Sequence, residues 1–188
     1  MWGQKHQPPP SALRSAVVES LERRELLSTF TVTNLADSGP GSLRQAVLDA
    51  NANPGADLVN FQPGLSGAIS TGGLAISDSL TIDGAGATVS VGGLNLFSST
   101  ASNLRISNLT LGGGNTTRDG GVLAIGGVNP TVVLDHLSIT RGHTSGSGGI
   151  VFAAVPAYLA IYNSTLYSGY ADHNGGAIAF HRPLSRAQ

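Results

Sequence analysis

A chain of 188 residues with 40% hydrophobic residues is long enough to fold around a sizeable core. Only 11% of its residues are charged and 26 are glycine, a composition that favours short strands and tight turns over long helices. The net charge of −1 and the single lysine argue against a nucleic-acid-binding surface, the lack of cysteine excludes disulfides and thiolate metal sites, and no apolar run is long enough for a membrane helix.

Residues 1–28 differ in composition from the rest of the chain, since they hold four of the ten basic residues and all three glutamates. Pro8 to Pro10 would stop a helix, and the apolar spacing that follows predicts a short amphipathic helix starting near Ser11. The segment lacks the uninterrupted apolar stretch of a standard secretory signal. The stretch Leu21-Glu22-Arg23-Arg24-Glu25-Leu26-Leu27, however, resembles the LEPR-x-LL segment near the start of large exported bacterial proteins, planctomycete ones especially, with Arg23 in place of Pro. The resemblance implies export to the cell envelope or the medium; the alternative is a plain amphipathic helix.

Residues 29–64 predict an opening module made of a strand, Thr29 to Asn34, and a helix capped by Ser42. The apolar face of this helix would be formed by Leu43, Ala46, Val47 and Ala50. We expect that face to cover one end of the strands that follow, because an uncovered stack of strands ends in an open sheet edge.

Residues 65–181 carry an internal repeat of 27 to 28 residues. Four glycine pairs mark it, each followed by a short apolar stretch: Gly92-Gly93, Gly120-Gly121, Gly148-Gly149 and Gly175-Gly176. Two further apolar stretches recur in phase, so each unit holds three short strands, too short for helices. The pattern predicts an all-β fold, a right-handed, single-stranded parallel β-helix that stacks inward side chains about 4.8 Å apart. Residues 182–188 would form a tail.

The same residues carry a family resemblance. The stretch 29–64 resembles the opening module of bacterial right-handed β-helix proteins. In some of these proteins the module contains the motif C-S-L-R-E-A, and here Gly41 stands in place of its cysteine. Residues 79–93 and 174–180 look like the pectin-lyase-like fold, and NGGAIAF is also similar to the GGA-I repeats of polymorphic outer-membrane proteins. The resemblance implies a pectin-lyase-like architecture and an adhesin-like place at the cell surface, and it says little about activity.

The pectin-lyase-like fold is also that of pectate-lyase-like enzymes. Such enzymes use clustered carboxylates to hold calcium and a basic residue to abstract a proton. The coils after Leu104 offer only scattered carboxylates and arginines: Asp119, Asp135, Asp172, Arg105, Arg118, Arg141 and Arg182. Asp119 and Asp172 are 53 positions apart and are expected on one face about 10 Å apart, too far to share one calcium ion. We therefore expect no catalytic residue and no cofactor in these residues, calcium being the one ion left open.

Three groups of side chains are candidates for binding or for structure. The first, a possible ligand-binding surface, consists of Arg118, Asp119, Arg141, His143, Tyr170, Asp172 and His173. The second is a ladder of polar side chains at one bend: Asn108, His136 and Asn163. The third is a group of tyrosines crowded into one coil: Tyr158, Tyr162, Tyr167 and Tyr170. His143 and His173 are expected near each other, but two imidazoles without a third ligand predict no metal site.

These features predict a secreted or cell-surface β-helix scaffold that binds an extended polysaccharide or a surface protein without catalysis. The alternative is a fragment of a pectate-lyase-like polysaccharide lyase or a glycosidase. The last predicted strand, Ala177 to Phe180, runs directly into the tail with no room for a capping helix, so we also expect a truncated chain that self-associates through this edge.

Overall fold

A computed structural model describes residues 27–85, 87–93 and 96–181. The amphipathic helix predicted from Ser11, all but the last residue of the export-like segment, and the tail 182–188 lie outside these residues. The elements are β1 (Thr29–Val32), α1 (Leu43–Ala52), β2 (Asp57–Phe61), β3 (Ser66–Ser70), β4 (Leu74–Ile76), β5 (Leu80–Asp83), β6 (Thr88–Gly93), β7 (Phe97–Ser99), β8 (Asn103–Gly113), β9 (Asn115–Thr116), β10 (Leu123–Ile125), β11 (Thr131–Thr140), β12 (His143–Thr144), β13 (Val151–Ala153), β14 (Tyr158–Tyr162), β15 (Thr165–Tyr167), β16 (Tyr170–Ala171) and β17 (Ile178–Phe180).

The strands stack in parallel, turn upon turn, which confirms the predicted β-helix. Face A contains β1, β2, β5, the first halves of β8 and β11, and β14. Face B contains β3, β6, the second halves of β8 and β11, and β15. Face C is the five-stranded sheet of β4, β7, β10, β13 and β17, and a short ribbon of β9, β12 and β16 joins faces B and C.

Inward side chains stack in columns from one coil to the next. Ile82 pairs with Ile106, and Ile106 pairs with Leu134, and all three are at most 1% exposed. Because neighbouring strands lie about 4.8 Å apart, each such side chain packs directly on the equivalent one in the coil before. The core is therefore one continuous apolar column.

The later coils turn at residues with left-handed backbone conformations. Asn108, His136 and Asn163 have φ values of 56°, 50° and 48° and form the bend between faces A and B. The turn that leads into face C uses glycine instead: Gly148 has a φ of 68°, and an added Cβ would collide with the carbonyl oxygen of Val151. Glycine is required at this turn both by its φ and by the close backbone approach.

Helix α1 covers the first coil as predicted. The Ser42 side chain accepts a hydrogen bond from the Gln45 N–H, so it caps the helix. The four predicted apolar residues are all buried: Leu43, Ala46, Val47 and Ala50. The helix contacts β1, β2 and β4.

The predicted repeat is correct for the later coils and wrong for the earlier ones. Thr81 pairs with Leu58, only 23 positions earlier, and Leu104 pairs with Leu80, 24 positions earlier. Gly92 lies in β6 and pairs with Gly112, so the pair Gly92-Gly93 is out of phase with the three later pairs. The later coils are longer because each adds a ribbon strand, which makes a fourth short strand beside the three that were predicted.

Candidate functional site

The ribbon holds two residues of the predicted ligand-binding surface in direct contact. His143 pairs in register with Asn115 on one side and Tyr170 on the other. The imidazole and phenol rings are stacked, with centroids 5.0 Å apart and planes 3° apart. His143 Nδ1 lies 2.6 Å from Asn115 Oδ1. This arrangement holds the imidazole in a fixed orientation.

The other predicted members of that surface occupy separate turn positions. Gly120 and Gly148 are equivalent in the turn, so Asp119 aligns with Ser147, whose N–H donates to the Asp119 carboxylate at 2.6 Å. Asp172 lies two positions away from that column, since its N–H donates to the carbonyl of Thr144. The remaining members lie at distinct exposed positions of the coil: Arg118, Arg141 and His173.

His173 is likewise out of register with His143. The His173 N–H donates to the carbonyl of Gly146, whereas His143 pairs with Tyr170 in the ribbon. The two imidazoles thus belong to different columns. Within the described ranges, no group of three histidine, aspartate or glutamate side chains is placed to hold a metal ion.

A polar cluster on the outer side of face A is centred on Asp135. Arg105 donates to Asp135 Oδ2 at 2.6 Å, Asn163 donates to Oδ1 at 3.1 Å, and His136 Nδ1 lies 2.8 Å from Oδ1. The hydrogen bond from Asn163 has the largest effect on Asp135 and lowers its pKa from the ordinary value; burial opposes it, and the neighbouring His136 and Arg105 lower the pKa further. The carboxylate is thus held in its ionised form by donors from the coils on both sides.

The predicted ladder residues lie at equivalent, exposed positions of the bend between faces A and B. Their hydrogen bonds run diagonally to an aspartate rather than along the column. Asn108 donates to Asp83 at 2.7 Å, as Asn163 does to Asp135. Asp83 and Asp135 are themselves in one outward column, two coils apart.

A shallow groove with a volume of about 160 Å³ crosses face A at the start of its strands. It is lined by residues from four successive strands or the turns before them: Ala56, Asp57, Ser79, Leu80, Thr81, Asn103, Leu104, Arg105, Thr131 and Val133. Because it crosses the strands, the groove runs along the axis of the solenoid.

Two tyrosines of β14 continue the groove on the next coil. Tyr158 pairs with Thr131, and both Tyr158 and Tyr162 point outward, with 62% and 52% of their surface exposed. Ala160 lies between them on the same side and is only 8% exposed, so the two side chains cover it. A hydrogen bond and a charge interaction with Tyr158 raise the pKa of Tyr162 most, followed by burial and the charge of Asp135. The tyrosines thus form one aromatic surface at the end of the groove.

Sequence reasoning noticed the tyrosines but missed the cluster around Asp135. Arg105 and Asp135 are 30 positions apart, and nothing in their local sequences marks them as partners. The usable signal is register: once Leu104 is aligned with Val132, Arg105 and Val133 share one outward column, and Asp135 occupies the next outward position along β11.

Comparison with protein-family models, with curated proteins and with solved structures finds no match for this chain. No helix of the described ranges is long and apolar enough to cross a membrane. The fold, a parallel β-solenoid closed at one end by a helix, is therefore established by the arrangement of the strands alone.

Proposed function

We propose that this chain is a non-catalytic scaffold that binds an extended polysaccharide along face A. The observation that carries the proposal is the continuity of the groove with the exposed pair Tyr158 and Tyr162. Sugar rings stack on aromatic faces, and their hydroxyl groups exchange hydrogen bonds with hydroxyl and amide side chains such as those of Thr131 and Asn103.

The rigidity of the solenoid supports binding to an extended chain. The outward side chains of face A stand on strands whose register is set by the buried columns beneath them, so little order has to be gained on binding. The groove is preformed and crosses four successive strands, which suits a polymer better than a small compact ligand.

The carboxylates of face A support binding rather than lyase or glycosidase chemistry. Asp83 and Asp135 are two coils apart, about 10 Å along the axis, which is too far for joint ligation of one calcium ion. Each is also engaged by asparagine and other donors. Neither is arranged as the clustered acid that the pectate-lyase-like resemblance implies.

An extracellular or cell-envelope location belongs to the same proposal. It is supported by the resemblance of Leu21–Leu27 to the LEPR-x-LL export segment. The resemblances of residues 29–64, 79–93 and 174–180 to pectin-lyase-like and surface β-helix proteins favour the same location. A polysaccharide of a cell wall or matrix is the kind of extended ligand that such a protein would meet.

Affinity electrophoresis through gels that contain dissolved polysaccharides tests the proposal. The double variant Tyr158→Ala/Tyr162→Ala should bind about 10-fold or more weakly, since two stacking contacts are lost. The matched control Tyr167→Ala/Tyr170→Ala removes two tyrosines that are just as exposed, on face B and on the ribbon, and should bind as the unchanged protein does. Equal retardation of both variants, or no retardation of the unchanged protein by any polysaccharide, would overturn the proposal. So would steady release of unsaturated product from polygalacturonate.

A further inference from the structure

In the part of the chain that the structure describes, face A carries few charged side chains, and its one cation is paired with a carboxylate. In the described residues, the outward positions of β2, β5, β8, β11 and β14 on this face carry one cation, Arg105, and two carboxylates, Asp83 and Asp135. The cation forms an ion pair with Asp135 at 2.6 Å. An acidic polysaccharide would therefore find no free positive charge here and would be repelled by the carboxylates.

Both carboxylates also accept hydrogen bonds from other groups of the protein. Asp83 Oδ1 accepts hydrogen bonds from the Ala85 N–H at 3.0 Å, from Asn108 at 2.7 Å and from Ser107 at 3.3 Å. Asp135 has donors from three residues. The remaining outward side chains are uncharged, among them Thr81, Asn103 and Thr131. Carboxylates that already accept hydrogen bonds from the protein, beside uncharged polar side chains, suit the hydroxyl groups of a neutral sugar better than an ammonium group.

The spacing of the coils adds a constraint on linkage. Neighbouring strands lie about 4.8 Å apart, and the groove advances by one strand per coil. An extended β-1,4-linked chain of pyranose rings advances along its axis by nearly this distance per ring, whereas α-1,4-linked glucans coil. Five strands, from β2 to β14, make up face A after the opening strand.

From these observations we infer that the ligand of face A is a neutral, extended, β-linked glycan that lies along the solenoid axis with one sugar ring per coil. The inference rests on the proposed function and narrows it to a substrate class. Tyr158 and Tyr162 hold the ring at the end of the site, and the hydroxyl and amide side chains of the groove bind the rings before it.

Calorimetric titration of the whole chain with hexasaccharides of matched length tests the inference. The panel is cellohexaose and β-1,4-mannohexaose as neutral β-linked chains, maltohexaose as a neutral α-linked chain, hexagalacturonate as an anion and hexaglucosamine as a cation. We expect binding of at least one neutral β-linked hexasaccharide, with an affinity unchanged by added salt. Shorter chains of the same sugar, from about two to five rings, should bind more tightly with each added ring up to about five.

A charge variant tests separately whether face A disfavours anionic ligands because it lacks a free positive charge. Thr81→Lys adds a cation to the groove and should improve binding of hexagalacturonate about threefold or more, whereas Thr110→Lys, on face B, should not. Tighter binding of hexagalacturonate or hexaglucosamine than of any neutral chain by the unchanged protein would overturn the inference while leaving the proposed function intact, and so would equal binding of maltohexaose. Binding of no hexasaccharide at all, or binding that survives Tyr158→Ala/Tyr162→Ala, would overturn both.

Discussion

Asn163 donates a hydrogen bond to Asp135 of the preceding coil at 3.1 Å, and Asn108 makes the same contact with Asp83 at 2.7 Å. In both pairs a residue with a left-handed backbone at the bend between faces A and B is hydrogen-bonded to the last face A residue of the preceding coil. The bend thus depends on two separable properties of asparagine, namely its tolerance of a positive φ and its side-chain amide.

Two substitutions at Asn163 separate these properties. Asn163→Leu should lower the free energy of unfolding by about 1 to 2 kcal/mol, because a side chain without local hydrogen bonds adopts the left-handed region at that cost. Asn163→Gly loses the same hydrogen bond but removes the backbone strain, and since the site is exposed its effect should stay within about 0.5 kcal/mol. Urea unfolding measures both. If the glycine variant were as unstable as the leucine variant, the side-chain contact rather than the backbone would hold the bend.

The lowered pKa of Asp135 predicts acid sensitivity. Because the folded pKa lies below the ordinary value of 3.8, the ionised carboxylate stabilises the fold above that value, and its contribution disappears as the pH falls through the folded pKa. Asp135→Asn should therefore weaken the loss of stability seen by urea unfolding as the pH falls below about 5. Hydrogen bonds with Thr71 and Arg44 also lower the pKa of Asp37. The Asp135→Asn protein should therefore still lose some stability at low pH. An identical pH profile in the Asp135→Asn protein would show that the cluster does not act on the folded state.

Gly148→Ala tests the turn into face C. The substitution places a methyl group against the carbonyl of Val151 at a φ of 68°, so the free energy of unfolding should fall by about 1 to 3 kcal/mol. Gly39→Ala is the matched control, because Gly39 also has a positive φ but an added Cβ there meets no atom within 4 Å. If the two variants lost the same stability, the backbone angle alone, and not the close approach of the coils, would explain the requirement for glycine.

The inward column predicts a large cost for a cavity. Ile106 is fully buried between Ile82 and Leu134, and Ile106→Ala should cost about 2 to 5 kcal/mol in unfolding free energy. Val128→Ala, at a side chain that is 84% exposed, should cost little. A loss below about 1 kcal/mol at Ile106 would contradict the assigned register, because it would mean that this side chain does not face the core.

The fold could be predicted from sequence because two physical requirements repeat at the same interval. Glycines at the turn into face C and inward apolar pairs such as Leu104 and Ile106 recur every 27 or 28 residues in the later coils. The earlier register was mispredicted because a glycine pair can serve two purposes. Gly92-Gly93 lies in a strand, whereas Gly148-Gly149 makes a turn, and the sequence of a pair does not distinguish them.

The candidate site was harder to predict because it depends on which residues share a column. The stacking of His143 on Tyr170 follows from a ribbon that the sequence analysis did not foresee. The Arg105–Asp135 pair depends on the relative register of β8 and β11. Local sequence carries no information on such pairs, although the alignment of successive coils does. The self-association expected at the last coil and the export of the chain stay predictions.

Mapping of amide chemical shifts shows which face of the solenoid binds the ligand. The isotope-labelled protein would be titrated with whichever neutral β-linked hexasaccharide binds most tightly. We expect shifts at the outward residues of face A, namely Thr81, Arg105, Val133, Tyr158 and Tyr162, and none at Thr110, Ser138 and Tyr167 of face B. Shifts confined to face B or to the ribbon around His143 would contradict it, because the ligand would then bind a surface other than the groove and its tyrosines.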